Sequence, residues 1–431
     1  MLGAGPTRPA DQLALPTQDG SVPVRHAKAA AMTLSPSLPL STRLRDVRGS
    51  AIRDLLALTA RPEVISLAGG LPGTDLLPRE RVATALAASV TDPAAVQYGE
   101  TAGLRRLREV VAAQESQRLG RAVDASGVVV TSGSQQALDL LARAVLDPGD
   151  PVVVEDPAYV GALQVFQAAG AALHPVPVDG EGEDGGMAVD VLAARLAAGL
   201  RPKLVHTVAS FHNPRGVTLS APRRAALAEL AGRYGFLVVE DDPYGLLAFD
   251  GTPPAPVAAH GERVVRLGSA SKVLAPALRV GWLTGPAELL GGVERLKQCT
   301  DLCTSSLTQA VAAELLADST WFAAHVDRLR AALHERATVL TGAVRAVLGD
   351  AVTCSTPTGG MFCWLEATDG SRPADLLPGA LEHGVGYVPG TAFAVGRDLS
   401  AAARLCFASN PPDQLRTAVE RLGAAWRGSA P

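Results

Sequence analysis

Cysteine is scarce, five in 431 residues. An odd, small number in so long a chain argues against a disulfide-stapled scaffold and suits the reduced thiols of a cytoplasm. Cys299 and Cys303 stand four apart on an expected helix, but no second pair of ligand residues lies near them, so no metal site is expected. Long hydrophobic runs are also missing: no window reaches the roughly 18 uninterrupted apolar residues of a membrane span. The first 40 residues carry Pro6, Pro9, Pro16, Pro23, Pro36 and Pro39 and lack the apolar block of a signal peptide, so residues 1–40 are expected to form a disordered arm. Excess charge of one sign is absent too. Lys plus Arg total 39 against 43 Asp plus Glu, a net charge of −4, which argues against nucleic-acid binding as the main activity. Like-charge clusters are short, so no polybasic membrane patch is expected. Apolar residues are abundant, at 47% against 19% charged, enough for a large buried core.

Along the chain, residues 52–60 read as a helix and 64–67 as a short strand, followed by a Gly-Gly-Leu-Pro turn at Gly69–Pro72. From Val128 a rhythm sets in. Short apolar, β-rich runs at 128–131, 151–155, 172–178, 203–208, 236–240 and 263–267 alternate with helical stretches such as 135–146 and 223–234. That alternation predicts an α/β fold with a mostly parallel sheet covered by helices on both faces. Beyond about residue 320 the pattern changes to a long helix, 319–348, and strand-like runs at 360–366 and 404–408, which read as a smaller α+β domain. The expected organisation is an arm over 1–40, an N-terminal helix and strand over 41–78 joining the small domain, a large domain over 79–318 and a small C-terminal domain over 319–431.

In open α/β sheets ligands bind beyond the carboxyl ends of the strands. Three such ends carry reactive groups: Asn213-Pro214, Asp241-Asp242-Pro243-Tyr244, and Ser269-Ala270-Ser271-Lys272. Asn213 and Asp241 are 28 residues apart, and Asp241 and Lys272 are 31, each close to the roughly 30 residues of a strand–helix–strand crossover. The three groups can therefore meet at one sheet edge. A lysine can form an imine with an aldehyde cofactor. A carboxylate can keep a pyridine nitrogen protonated, while an amide and the Tyr244 phenol bind the ring hydroxyl. That set describes pyridoxal phosphate. Ser132-Gly133-Ser134-Gln135 opens a helix, whose free N–H groups suit a phosphate, and Ser269, Ser271 and Arg279 can add hydroxyls and a guanidinium fork. Taken singly, these features read as a helix cap, a loop carboxylate, a surface lysine and a turn; their order and spacing make them a candidate site.

Over about residues 45–427 the sequence resembles the fold-type I, class I/II pyridoxal-phosphate aminotransferases, and among them the 2-aminoadipate aminotransferase-like branch. The resemblance rests on Ile52-Arg53-Asp54-Leu55-Leu56, Ala68-Gly69-Gly70-Leu71-Pro72, Gly133-Ser134-Gln135-Gln136-Ala137-Leu138, Val239-Glu240-Asp241-Asp242-Pro243-Tyr244, Ser269-Ala270-Ser271-Lys272 and Pro357-Thr358-Gly359-Gly360-Met361-Phe362. It implies a seven-stranded large sheet. It also implies that Lys272 carries the cofactor as an imine and shuttles the substrate proton, that Asp241 pairs with the pyridine nitrogen, and that Asn213 and Tyr244 hold the ring oxygen. Tyr159 would stack on the ring, and Ser134, Gln135, Ser269, Ser271 and Arg279 would hold the phosphate. Tyr98 resembles a tyrosine that reaches the phosphate of a neighbouring subunit, which implies a homodimer with shared sites; the cysteine usage above is what points to a cytoplasmic one. Arg404 matches the arginine that binds the substrate α-carboxylate, Gly70 approaches the same carboxylate, and Arg53 falls on a helix that can meet the substrate side chain. The implied partners are an amino acid, glutamate-like as donor, and a 2-oxo acid. Arg53 would suit an acidic, 2-aminoadipate-like side chain, while the Ala-, Gly-, Arg- and Pro-rich composition leaves an aromatic or arylglycine-type substrate as the alternative.

The sequence departs from the family pattern in having His212 before Asn213 where glutamine is usual, Arg215 after Pro214 where threonine is usual, and Ala270 between the serines where an aromatic is common. These departures bear on the substrate more than on the cofactor. A polar scaffold role for His212 is the expectation, since Lys272 already provides a base. Two other readings share the fold: a lyase, decarboxylase, racemase or oxidase using the same lysine, and a transcriptional regulator. The latter needs a DNA-binding domain of roughly 60–70 ordered residues ahead of the fold, where this sequence offers about 45 proline-rich ones.

Overall fold

In the computed structural model the described residues are Ser41, Gly49, Leu55, Thr59, 61–180 and 185–428. The expected arm over 1–40, most of the expected helix over 52–60 and Arg53 lie outside them. The first strand, Ile65–Ser66 (β1), pairs in parallel with Val385–Gly386 (β12).

The large sheet is built from Val128–Thr131 (β2), Pro151–Asp156 (β3), Ala172–Asp179 (β4), Gly186–Met187 (β5), Leu204–Thr207 (β6), Leu237–Asp241 (β7), Val264–Ser269 (β8) and Gly281–Thr284 (β9). Its order is β2-β9-β8-β7-β6-β3-β4-β5. The pairs from β8 through β4 are parallel, whereas β9 runs antiparallel to both β2 and β8, and β5 runs antiparallel to β4. The sheet thus has eight strands where seven were expected, the extra one being the two-residue β5 at an edge.

The central strands β8, β7, β6 and β3 are buried on both faces, as their apolar runs require. Because successive side chains point to opposite faces, neighbouring valines enter different cores. Val152, Val154, Val239 and Val265 pack with the helices Ser134–Val145, Val160–Ala168 and Ala287–Thr300. Val153, Val238 and Val264 pack with Val189–Ala197 and Ala221–Tyr234.

A second sheet of order β10-β11-β14-β13 is wholly antiparallel, formed by Val352–Cys354 (β10), Phe362–Ala367 (β11), Val388–Pro389 (β13) and Ala402–Cys406 (β14). The 30-residue helix Ser319–Leu348 and the helix Pro412–Gly428 share buried leucines and valines with it. Arg404 sits in the middle of β14, paired with Trp364 of β11 on one side and Val388 of β13 on the other.

Candidate active site

Asp241 is the last residue of β7, Ser269 the last of β8, and Asn213 follows β6. These adjacent parallel strands end together, and beyond them opens a cavity of about 510 Å³. Every residue expected at the site lines it except Tyr98 and Arg53. Arg53 lies outside the described residues. Tyr98 is 78% exposed on the surface of its own chain, so the chain by itself does not bring it to the cavity.

Lys272 Nζ donates to the carbonyl of Gly70 at 2.8 Å. Its surroundings desolvate it, and the Arg404 and Arg279 guanidinium groups add repulsion that Cys406 and Asp241 only partly offset, so the ammonium is pushed down to about 8. Asp241 is buried, and its Oδ1 has no hydrogen-bond partner among the described residues. Its Oδ2 lies 3.7 Å from His206 Nε2, which itself has no hydrogen-bond partner among the described residues. A buried carboxylate oxygen facing a cavity without a donor is an acceptor waiting for a ligand.

Asn213 Oδ1 accepts from Arg404 Nη1 at 2.7 Å. A guanidinium can only donate, so the amide oxygen must face it, which leaves the amide NH₂ to donate elsewhere. Arg404 is buried, also donates to the carbonyl of Ala68, and lies 4.4 Å above the Phe362 ring. Its Nε has no partner among the described residues. Tyr244 is buried with its ring edge-on to Phe362, and burial raises its phenol well above the usual value. Burial likewise pushes Tyr159 up to about 12, with the Asp241 charge adding to the effect; its hydroxyl donates to Gln135 Oε1 at 3.2 Å.

At the other end of the cavity, Ser134 and Gln135 open the helix Ser134–Val145, whose first N–H groups have no helical acceptor. Gly133, at φ 88°, precedes them, and a Cβ there would come within 2.5 Å of Arg279 Nη2. Arg279, itself left-handed at φ 52°, donates to the Ser132 carbonyl at 3.0 Å. Helix N–H groups, two serine hydroxyls and a guanidinium thus converge without an anion among them. Such a cradle of donors suits a phosphate, and only glycine at 133 leaves the space open. The cradle, the partnerless Asp241 oxygen and the desolvated lysine fit pyridoxal phosphate at its three reactive positions.

Several residues outside the expected set support this one. Asp242, one place on, faces away from Asp241's side of the sheet. Its Oδ1 accepts from Gly245 N at 2.7 Å, and its Oδ2 from Arg118 at 2.8 Å and from Arg266. Burial alone would raise its carboxyl, but the two guanidinium groups outweigh this and hold it well below the usual carboxylate range. Asp242 thereby fixes the turn that carries Tyr244. Glu155, in β3, accepts from Thr207 Oγ1 at 2.6 Å and Val208 N at 2.9 Å, with His212 Nε2 at 3.0 Å. The strand-end rule that found Asp241 could have found Glu155, since it lies next to the end of β3.

A family model described as aminotransferase class I and II matches residues 62–422. The chain belongs to the class I and II aminotransferases. The aromatic-amino-acid aminotransferase 1 of Thermococcus litoralis is 36% identical over 403 residues, covering 92% of this chain and 95% of that protein. The 2-aminoadipate transaminase of Thermus thermophilus is 36% identical over 390 residues, covering 89% and 95%. Among solved structures, a kynurenine aminotransferase of Pyrococcus horikoshii, in complex with PMP, superposes with a TM-score of 0.85 at 37% identity, covering 91% of this chain and 98% of that one. The protein is therefore a pyridoxal-phosphate-dependent aminotransferase of fold type I that acts on amino and oxo acids. Among the described residues, no helix is long and apolar enough to cross a membrane.

Proposed function

We propose that this aminotransferase exchanges an amino group between an L-amino acid with an uncharged, aromatic side chain and a 2-oxo acid, with a glutamate-like donor, in a cytoplasmic homodimer. The carrying observation is the meeting of Lys272, the partnerless Asp241 oxygen and buried Arg404 around one cavity. Among the described residues the cations lining it are Lys272, Arg279 and Arg404, and each has a task at the cofactor or the α-carboxylate. The remaining wall, from Leu71, Val160, Gly161, Gln164 and Val208, is neutral. That supports an uncharged side chain, in line with the relative that acts on aromatic amino acids. Arg53 is the position at which an acidic side chain would be met instead.

When bound, pyridoxal phosphate supplies an aldehyde for imine formation and a ring that accepts the electron pair released at the substrate Cα. In this reading Asp241 holds the proton on the ring nitrogen. Asn213 NH₂ and Tyr244 would donate to the ring oxygen, and Tyr159 would pack against the ring. Ser134, Gln135, Ser269, Ser271 and Arg279 would anchor the phosphate. Arg404 and the backbone at Gly70 would hold the α-carboxylate and so orient the substrate for loss of its Cα proton. Burial and the Arg404 and Arg279 guanidinium groups lower the Lys272 ammonium, which favours the neutral amine that would take the Cα proton and return it. The exposure of Tyr98, together with exposed Leu86, Val90 and Val96 nearby, supports a partner subunit that covers this face.

The test uses the yellow holoenzyme. An amino-acid substrate alone should bleach it stoichiometrically, and a 2-oxo acid should restore the colour. Arg404→Ala should abolish both directions, since losing one partner of a buried ionic hydrogen bond costs roughly 2–5 kcal/mol. Carbon dioxide released with the colour unchanged would replace this reading with a decarboxylase.

A further inference from the structure

We propose that His212, held by Glu155, is a positioning residue that fixes the Asn213 amide between Arg404 and the cofactor ring. The inference rests on the reading above, in which Asn213 and Arg404 serve the ring oxygen and the α-carboxylate. His212 is 1% exposed and does not line the cavity, so it acts through its neighbour rather than on substrate.

Its imidazole is approached at both nitrogens. Nδ1 accepts from the backbone N–H of Arg215 at 3.3 Å. A ring nitrogen that accepts an N–H carries no proton, so the ring's proton sits on Nε2, which stands 3.0 Å from Glu155 Oε2, an ion-pair distance without the alignment of a hydrogen bond. The same carboxylate accepts from Thr207 Oγ1 and Val208 N at the end of β6. His212 is thereby tied to β3 and β6 at once. Its main chain closes the loop, with His212 N donating to Val217 O at 2.7 Å and Gly216 N to His212 O at 2.6 Å.

The other side of this loop is packed against the second sheet. A Cβ on Gly216 (φ 71°) would come within 2.5 Å of the Phe362 carbonyl, and a Cβ on Gly360 within 2.5 Å of the Phe211 Cβ. Phe362 in turn lies beneath the Arg404 guanidinium. The loop is therefore clamped between the two sheets, with Asn213 at its apex and Arg404 taking the amide oxygen. An imidazole released from Glu155 would leave that apex free to turn, and the amide would lose its fixed sense.

The experiment compares His212→Leu, His212→Gln, Glu155→Gln and Asn213→Ala in the holoenzyme. The readouts are KM and kcat for one amino-acid substrate, the pH midpoint of the bound cofactor's colour, and thermal unfolding. Glutamine offers an amide donor group and a carbonyl acceptor and so can fill both roles of the imidazole; leucine offers neither. His212→Leu should raise KM roughly tenfold and move the colour midpoint in the same direction as Asn213→Ala. His212→Gln should recover most of both losses. Glu155→Gln should reproduce the leucine effect, and combining it with His212→Leu should add little further, because both break one clamp. If His212→Leu fails to fold, Glu155→Gln against His212→Gln decides. Colour and KM left at wild-type values in His212→Leu, or in Glu155→Gln, while Asn213→Ala is impaired would overturn the inference alone. A silent Asn213→Ala would overturn the reading beneath it as well.

Discussion

Replacing Asp242 by asparagine removes one negative charge from a buried cluster in which the carboxylate stands between two guanidinium groups. Arg118 and Arg266 both donate to Oδ2, and Arg266 is shared with Glu115. Asparagine keeps an acceptor for Gly245 N but leaves the buried Arg266 and the half-buried Arg118 underpaired. Breaking a buried pair from one side costs about 3–5 kcal/mol. In the protein stripped of cofactor, equilibrium urea unfolding should show that loss, about two to four decades in the unfolding constant. The sign with pH follows from the depressed carboxyl. Its contribution is complete above the ordinary carboxylate range and fades only as pH falls through the lower folded value, so the gap to wild type should be flat between about pH 6 and 9 and close on acidification. Asp241→Asn is the matched control. Its Oδ1 has no hydrogen-bond partner among the described residues, so removing the charge should leave unfolding near wild type. Transamination should instead fall about 10²–10³-fold, as when one preorganised electrostatic partner is lost. An Asp242→Asn protein with wild-type unfolding, or an Asp241→Asn protein that unfolds early with activity intact, would refute this division of labour.

Much of the large sheet was legible because buried parallel strands are continuous apolar runs; the expected strands at 128–131, 151–155 and 263–267 lie within two residues of β2, β3 and β8. The helix Ser319–Leu348 was legible because a 30-residue amphipathic run admits no other reading. β9 went unread. It enters antiparallel after a short link rather than a crossover helix, so the α/β rhythm gives no cue to it. The two-residue strands β5, β12 and β13 are too short to carry any period. At the site, crossover spacing by itself brought Asn213, Asp241 and Lys272 to one edge. Arg404 comes from the other sheet, more than a hundred residues on, where spacing says nothing and resemblance had to supply it. Glu155 and His212 illustrate the remaining gap. From sequence His212 reads as a polar scaffold and Glu155 is not singled out, and their 3.0 Å approach depends on how β3 and β6 lie side by side.

Three further outcomes are expected. Borohydride reduction of the yellow enzyme followed by peptide mapping should place the cofactor on Lys272; a label on Lys203 or Lys297 would sink that assignment. Cofactor capture by the stripped protein should quicken with pH and level off above about 8, because burial and the neighbouring guanidinium groups lower the Lys272 ammonium and only its neutral form attacks; a rate still climbing at about pH 10 would mean an unperturbed lysine. The last outcome concerns assembly. Tyr98 is exposed on its own chain, so if it serves a phosphate, that phosphate lies in a second copy. Tyr98→Ala chains and Lys272→Ala chains should each be inactive as homodimers. Mixed and reassociated, half the dimers are hybrids, and in each hybrid one site joins the intact Lys272 of one chain to the intact Tyr98 of the other. About a quarter of wild-type activity should therefore return at equal mixing, as a two-fold dimer with shared sites demands. Tyr98→Ala chains that are active alone, or mixtures that stay dead although sedimentation shows hybrids, would place Tyr98 outside the site.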